Sequence, residues 1–188
     1  MKSLAIPAIL LFGALPAPAG HDLELTIPAE DPAGAANPNA LKYDTREWYG
    51  STFWTGPDWT RVGKDWHHPG EATPSVRRYA CPQDGTVTIS GRVFKRHLAG
   101  DGVVARILHG DREIWKAQIA GADSDGNSHD LTLAVRKGDS LRFVIDKFKA
   151  IACDTTAWDP TITYRDGPAF TASAAFAAHR QEIGRAHV

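Results

Sequence analysis

The chain has no excess of charge of either sign. Its 188 residues carry 21 Lys and Arg against 22 Asp and Glu. The net charge therefore implies neither nucleic acid nor another acidic polymer as a partner. Long apolar runs are scarce as well, because the longest, residues 4–15, is shorter than the roughly 20 residues that a membrane helix needs. We therefore predict no nucleic-acid partner and no membrane partner.

Recognisable catalytic and metal-binding motifs are missing too. No Gly-x-Ser-x-Gly nucleophile elbow occurs anywhere in the sequence. His67 and His68 are adjacent, whereas a zinc site needs three or four convergent ligands, and no other Cys or His is patterned to join them. A glycosidase would need two carboxylates facing each other across a cleft, which sequence does not reveal. We predict that the chain is not an enzyme.

The N-terminus has the pattern of an export signal. Lys2 supplies positive charge, the apolar run follows it, and Ala17 and Ala19 form a small-residue cleavage site. Residues 1–19 are therefore predicted to be a signal peptide, and the mature protein to be secreted or periplasmic. Residues 20–40 are rich in Ala, Pro and Gly without a sustained period, which predicts a linker.

The two cysteines, Cys81 and Cys153, belong to a chain predicted to enter an oxidising compartment. Each flanks a strand-like segment, and strands distant in sequence often pair in a sandwich. We predict a disulfide between them. The alternative is two buried thiols that act as small hydrophobic residues.

Short alternating strands follow one another from residue 41 to residue 166. In residues 86–94, Val and Ile alternate with Thr, Ser and Arg. Residues 109–112 form a tight hairpin signal between two such strands, and residues 137–139 form another turn signal. Helical periodicity is lacking outside the Ala-rich tail. The predicted fold class is therefore all-β, an antiparallel β-sandwich.

The C-terminal residues are predicted to lie outside this module. Residues 167–181 are interpreted as the start of a linker to a missing downstream domain. Residues 182–188 back-translate onto the start of a widely used sequencing-library adapter, so we interpret them as a sequencing artefact. On this interpretation the chain is a fragment of a larger protein.

The strand motifs, in this order and spacing, resemble carbohydrate-binding, jelly-roll-like modules of large secreted bacterial polysaccharide-processing proteins. The resemblance covers roughly the middle half of the chain and does not include the cysteines. It implies a jelly-roll-like sandwich and neighbouring domains in the same chain. Jelly-roll modules often hold a structural calcium ion, but no ligands for one can be placed here, so no cofactor is predicted. The motifs that carry the resemblance are residues 68–70, 76–82, 85–91, 100–103, 138–144 and 154–162.

Six Trp residues are a heavy load for a chain of this length. An exposed indole offers a rigid apolar face to the C–H patches of a pyranose, and nearby polar groups can orient the hydroxyls. The aromatic segment between residues 48 and 66 is rich in Gly, Pro and Asp, which predicts loops. We expect the ligand to contact Trp54, Trp59, Trp66 and His67. The alternative is that some of these rings fill the space between the sheets.

Other polar and aromatic motifs have structural interpretations. Residues 123–127 place oxygens at alternating positions, but lack the sixth-position Gly and twelfth-position Glu of a calcium loop, so an Asx-rich turn is predicted. Arg77 and Arg78 lie on opposite faces of a predicted strand, and an Arg of this pair is expected to bind an Asp across strands. Asp154 and Asp159 are expected to cap turns, and Trp158 to fill the core.

These observations together predict an exported, non-catalytic module that binds a polysaccharide or oligosaccharide through loop aromatics. The alternative is a structural spacer or adhesion domain that binds no sugar. An exposed aromatic surface separates the two hypotheses, because a spacer has no need of one.

Overall fold

The computed structural model describes residues 23–24 and 41–176, and almost all of the regular secondary structure there is β-strand. A 3-10 turn covers Pro57–Trp59, and residues 172–176 are helical. No helix in the described part of the chain is long and apolar enough to cross a bilayer. The strands are β1 Leu23–Glu24, β2 Lys42–Trp48, β3 Ser51–Thr55, β4 Arg61–Gly63, β5 Trp66–His68, β6 Ser75–Ala80, β7 Gly85–Lys95, β8 Val103–His109, β9 Arg112–Ile119, β10 Asn127–Val135, β11 Ser140–Lys147, β12 Thr156–Trp158, β13 Thr161–Tyr164 and β14 Ala169–Thr171.

The strands form two sheets in which every pairing is antiparallel. One sheet has the order β1-β6-β11-β8-β9. The other has the order β14-β13-β7-β12-β5-β4-β3-β2, and β10 pairs with β7. From β6 to β13 the chain passes repeatedly between the sheets, as in a jelly roll. The predicted all-β, jelly-roll-like sandwich is confirmed.

The core lies between the two sheets. Alternate residues of each strand point toward it, and these residues are mostly apolar. Val87, Ile89 and Val93 of β7 are fully buried, as the alternation predicts. Trp158 is also fully buried and meets Phe143 of the opposite sheet edge to face, with ring centroids 5.4 Å apart. Trp158 therefore fills the core, as predicted.

Both predicted turns are present. Gly110 connects β8 to β9 with φ +57°, and Gly138 connects β10 to β11 with φ +89°. Left-handed backbone is nearly free of steric cost only for glycine, so these two residues allow the tight connections. The loop at residues 123–127 is an Asx turn, since Asp123 Oδ1 accepts hydrogen bonds from the amides of Asp125 and Gly126.

The structure contradicts the predicted disulfide. Both cysteines are free, and they lie at opposite ends of β11. The amide of Cys81 donates to Asp139 just before that strand, whereas Cys153 lies beside Gly100, near the end where Lys147 pairs with Val103. A strand of eight residues spans about 23 Å, and a disulfide needs Cα atoms within about 7 Å of each other.

The sandwich extends beyond the predicted boundary at residue 166. Strand β14 pairs with β13, and Ala172 and Phe176 are buried, so the first part of the predicted linker 167–181 belongs to the module. Within the predicted linker 20–40, residues 23–24 form β1 and pair with β6. The predicted signal peptide at 1–19 and residues 182–188, interpreted above as a sequencing artefact, lie outside the described residues.

Two polar predictions need correction. Arg77 points into the core and its guanidinium donates to the backbone carbonyls of Gly63 and Lys64 rather than to an Asp. Asp154 forms a buried ion pair with Lys95, with Nζ and Oδ1 3.1 Å apart, instead of capping a turn. Asp159 does cap a backbone segment, because its Oδ1 accepts the amide of Ser173.

Candidate functional site

Strands β2 to β5 extend the second sheet beyond the sandwich core and carry most of the aromatic segment. Residues paired directly across strands share a face of the sheet. Arg61 pairs with Thr55 and with His68, which places these three side chains on one face. His67 occupies the opposite face and its ring lies 6.1 Å from that of Trp158 in the core. Arg61 and His68 therefore belong to the outer face.

The outer face is built around one arginine. The Cζ atom of Arg61 lies 4.4 Å from the ring centroid of Trp48 and 4.3 Å from that of Trp59. Phe53 lies slightly farther, at 5.2 Å. Cation–π attraction of this kind contributes on the order of 0.5–1 kcal/mol at exposed sites and more where water is excluded. We call Trp48, Trp59 and Arg61 the Trp–Arg platform.

The indole of Trp59 is presented to solvent by an unusual backbone. Asp58 and Trp59 both have left-handed φ angles, 54° and 73°. Non-glycine residues in this region are uncommon and cost on the order of 1 kcal/mol each. The amide of Gly56 donates to Thr60, and the amide of Glu71 donates to Asp58, so hydrogen bonds hold the turn in place. Trp59 is 61% exposed, the largest such fraction among the large apolar side chains described.

A packed layer supports the platform from below. Trp66 is fully buried, donates from Nε1 to the Ser51 hydroxyl at 2.9 Å, and meets Trp48 edge to face at 5.2 Å. Its indole lies directly on the backbone of Gly63, where a Cβ atom would stand 1.9 Å from the ring. Trp48 is thus fixed between Trp66 and Arg61 and is half-buried, whereas Trp59 is exposed and offers a face to a ligand.

A tight turn closes one end of this face. Tyr49 and Gly50 both have positive φ, 49° and 81°, as a two-residue type I′ hairpin requires. The Tyr49 hydroxyl lies 2.9 Å from His97 Nδ1, which ties the β2–β3 hairpin to the loop after β7. The hairpin and the platform are therefore anchored to the sandwich rather than free to move apart.

Arg61 is a partly buried cation of the site that no carboxylate among the described residues contacts directly. Burial, more than the nearby Arg46, lowers the pKa of its guanidinium. Asp44, a carboxylate whose charge acts on Arg61, is held by Arg46 through contacts of 2.6 to 3.2 Å, and that arginine lowers the pKa of Asp44 to about 2. Within the described residues, Arg61 has no carboxylate at ion-pair distance.

The four residues predicted to contact the ligand differ in their exposure to solvent. Trp59 is exposed as expected. Trp54 is half-buried on the opposite face of β3, with its ring 5.2 Å from Tyr43. Trp66 and His67 are both fully buried, so the structure contradicts their assignment as ligand contacts. They lie on opposite faces of β5, where the rings of Trp48 and Tyr49 pack on Trp66 and the ring of Trp158 packs on His67.

The sequence interpretation missed Trp48 and Arg61 as members of the site. No local signal identified Arg61, because Trp59 lies in a left-handed turn, where the period-2 rule of an extended strand does not apply. No such signal existed for Trp48, whose contact with Arg61 depends on the pairing of three strands. Within the described residues, no group of three or more His, Cys, Asp or Glu side chains could hold a metal ion.

Comparison with known proteins gives low similarity. No family model matches the chain, and no curated protein matches it. Among solved structures, the chain is similar to pika GITRL, at TM-score 0.35 and 15% identity over 48% of this chain and 74% of that one. The CBM51 module of Clostridium perfringens GH95, solved with methyl-galactose, matches at TM-score 0.35 and 11% identity, over 63% and 83% of the two chains.

The CBM35 module from Paenibacillus barcinonensis matches at TM-score 0.33 and 12% identity, covering 68% of this chain and 93% of that one. Several of these neighbours are thus carbohydrate-binding modules, whereas the pika protein carries a different name. Similarity at this level does not assign a function. The functional argument therefore depends on the Trp–Arg platform.

Proposed function

We propose that this protein is a non-catalytic carbohydrate-binding module that holds a glycan against the exposed face of Trp59. The observation that carries the proposal is an indole that is 61% exposed, held by a strained turn, with a guanidinium on one side of the ring. Strained backbone persists where the surrounding contacts enforce it, and it is concentrated at functional sites.

The chemistry of the platform suits a sugar. The free face of Trp59 offers an apolar surface for the C–H groups of a pyranose, at little cost in side-chain entropy. Arg61 lies against the other face of the same ring, 4.3 Å from its centroid, and this cation–π contact helps to hold the indole with its first face open. A shallow site of this type gives modest affinity, so several copies or neighbouring modules would add avidity.

We further propose that the module is exported through residues 1–19 and acts beside other domains of a larger polysaccharide-processing protein. The export pattern and the strand motifs of the sequence support this placement. Detection of the cleaved protein in the medium or periplasm of an expressing bacterium is expected. Retention of the uncleaved chain in the cytoplasm would contradict it.

A spacer or adhesion role is the second candidate, and one observation favours it. Trp48 and Trp66 are packed into the sheet extension, so much of the aromatic segment stabilises the fold. A purely structural role predicts that Trp59 can be changed without any effect on glycan retention. The experiment below separates the two functions.

Affinity electrophoresis of the full chain through gels that contain plant and algal polysaccharides tests the proposal. Trp59→Ala is expected to abolish retardation by the polymer in the gel, because it removes the exposed indole of the platform. Phe148→Ala is the matched control, since Phe148 is also exposed, at 41%, and also carries a nearby cation, Lys149. Equal retardation of both variants, or none of the parent protein by any polymer, would overturn the proposal.

A further inference from the structure

In the described part of the chain, the two sheets have five free strand edges, and four of these are protected against pairing with another chain. Strands β1 and β14 are only two and three residues long. Strands β2 and β9 each contain a shift in register and carry several charged side chains. Short length, bulges and charges are common protections of an exposed edge. The fifth edge, that of β10, lacks them apart from a single carboxylate, Asp130.

Strand β10 is long and regular. Its nine residues pair one to one with β7 without any register shift, and none of them is Pro, Lys or Arg. In an antiparallel ladder, every second residue directs its N–H and C=O groups away from the partner strand. Within the described residues, β7 is the only strand that pairs with β10, and no other backbone group bonds to it. Strand β10 therefore offers an open edge to which another strand can add.

This edge opens onto a groove between β9 and β10. The groove has a volume of about 460 Å³, and its apolar lining consists of Ile114, Leu131 and Leu133. Both leucines pack against the core but are only partly buried. Arg112 and Glu113 line the same groove, and their opposite charges offset each other. A strand added along β10 would cover the leucines.

The charged side chains at β10 are complementary to those of a second copy. In a two-fold symmetric dimer, residues at equal distances before and after the axis lie opposite each other. An axis at Leu133 places Asp130 opposite Arg136 of the second copy, and the symmetry repeats this pair on the other side of the axis. Both side chains are exposed, and neither has an ion-pair partner within the described residues.

The remaining pairs of this register are compatible as well. On the face toward the core, Leu131 lies opposite Val135, and Leu133 lies opposite its own copy. An axis at Asp130 would instead place two carboxylates opposite each other, and like charges in that position are destabilising. The axis at Leu133 is the one two-fold register that brings opposite charges of residues 127–136 together.

We propose that two copies of this chain pair antiparallel through β10, with the two-fold axis at Leu133 and ion pairs between Asp130 and Arg136 on both sides of it. The dimer joins the larger sheets of the two copies into one continuous sheet. Opposite charges that face each other across two strands stabilise such a pairing. The dimer also carries two Trp–Arg platforms, which would add avidity for a polymer. The inference does not depend on the proposed function, because association is measured without any glycan.

Sedimentation velocity of the full chain over a series of concentrations tests the proposal. The parent chain is expected to sediment as a dimer that dissociates on dilution. Arg136→Asp and Asp130→Arg each replace both ion pairs by pairs of like charge, so each should raise the dimer dissociation constant about tenfold or more. Lys42→Asp is the matched control, because it makes the same change of charge as Arg136→Asp but lies on β2, at another edge. It should leave the dissociation constant unchanged.

A mixture of the two variants locates the contact. A chain with Arg136→Asp has two carboxylates at these positions, whereas a chain with Asp130→Arg has two guanidinium groups. Each variant therefore repels its own copy but complements the other. The mixture should form dimers as tightly as the parent chain does, a recovery that a loss of folding in either variant would not produce. Thermal unfolding of each variant checks that the fold is retained.

A parent chain that is monomeric at every concentration would overturn the proposal. Single variants that dimerise as tightly as the parent, or a Lys42→Asp effect equal to that of Arg136→Asp, would exclude β10 as the contact. A mixture that associates no better than its components would exclude the axis at Leu133. Hydrogen exchange identifies other occupants of the edge, because protection of the outward amides of β10 in a monomeric chain would show that another segment of the same chain covers them. That result would also overturn pairing between copies.

Discussion

Tryptophan residues of the aromatic segment have different structural roles, although they are the same residue type. Trp66 is buried on the backbone of Gly63, Trp48 is fixed against Arg61, and Trp59 faces solvent. Sequence predicts three similar indoles among Gly, Pro and Asp residues. The difference arises because the rings of Trp48 and Tyr49 pack on Trp66, whereas Trp59 lies in a turn whose left-handed backbone points it outward.

Gly63→Ala tests the support of the platform. A methyl group there would stand 1.9 Å from the indole of Trp66, so we expect a loss of about 3 kcal/mol or more in the free energy of unfolding. Gly110→Ala is the control, because it meets no atom within 4 Å and has φ +57°; its cost is the left-handed backbone alone, about 1–2 kcal/mol. Urea unfolding measures both, and equal losses would contradict the packing described for Trp66.

Among the elements, the strands with strict alternation were predictable and the short ones were not. The alternation of residues 86–94 predicts β7 and its buried face, because a half-buried strand needs period-2 patterning. Strands β4 and β5 have three residues each, too few to show a period. Their pairing, which places Arg61 against Trp48, depends on contacts between distant segments.

The buried ion pair between Lys95 and Asp154 connects β7 to the segment before β12, and both side chains are fully buried. Lys95→Met is expected to lower the free energy of unfolding by about 3 kcal/mol, because it leaves a buried carboxyl unpaired. The double change Lys95→Met with Asp154→Leu should recover most of that loss. Arg96→Met, which breaks the exposed pair with Asp65, should cost about 1 kcal/mol or less. Chemical denaturation of the four proteins measures these values, and a double variant no more stable than the single one would contradict the assignment.

At the scale of the whole molecule, buried histidines link stability to pH. Burial is the main cause that lowers the pKa values of His67, His68 and His129, and the pKa of His68 falls to about 4. In the unfolded chain these groups take up protons near pH 6.5, so the unfolded state binds more protons than the folded one below that pH. Their stabilisation is complete above about pH 6.5 and is lost as the pH falls toward 4.

Asp154 acts in the opposite direction. Burial raises its pKa to about 6, so its contribution is present below its unfolded pKa near 3.8 and is lost as the pH rises through 6. The three buried histidines outnumber the one buried carboxyl, so we expect the free energy of unfolding to fall as the pH is lowered from about 6.5 to 4. His68→Gln should reduce the slope of the unfolding free energy against pH by up to about 1.4 kcal/mol per pH unit. Thermal unfolding across this range measures the slope, and an unchanged slope would exclude His68 as a contributor.

The sequence by itself determined the fold class, the long strands and their turns, because alternation and glycine placement are local properties of the chain. It also pointed to the aromatic segment and to Trp59. Only the tertiary structure decided that Trp66 and His67 are buried, that the cysteines lie at opposite ends of β11, and that Arg61 bridges Trp48 and Trp59. These features depend on which strands become neighbours, and strand pairing is set by packing across the whole sandwich rather than by any local pattern.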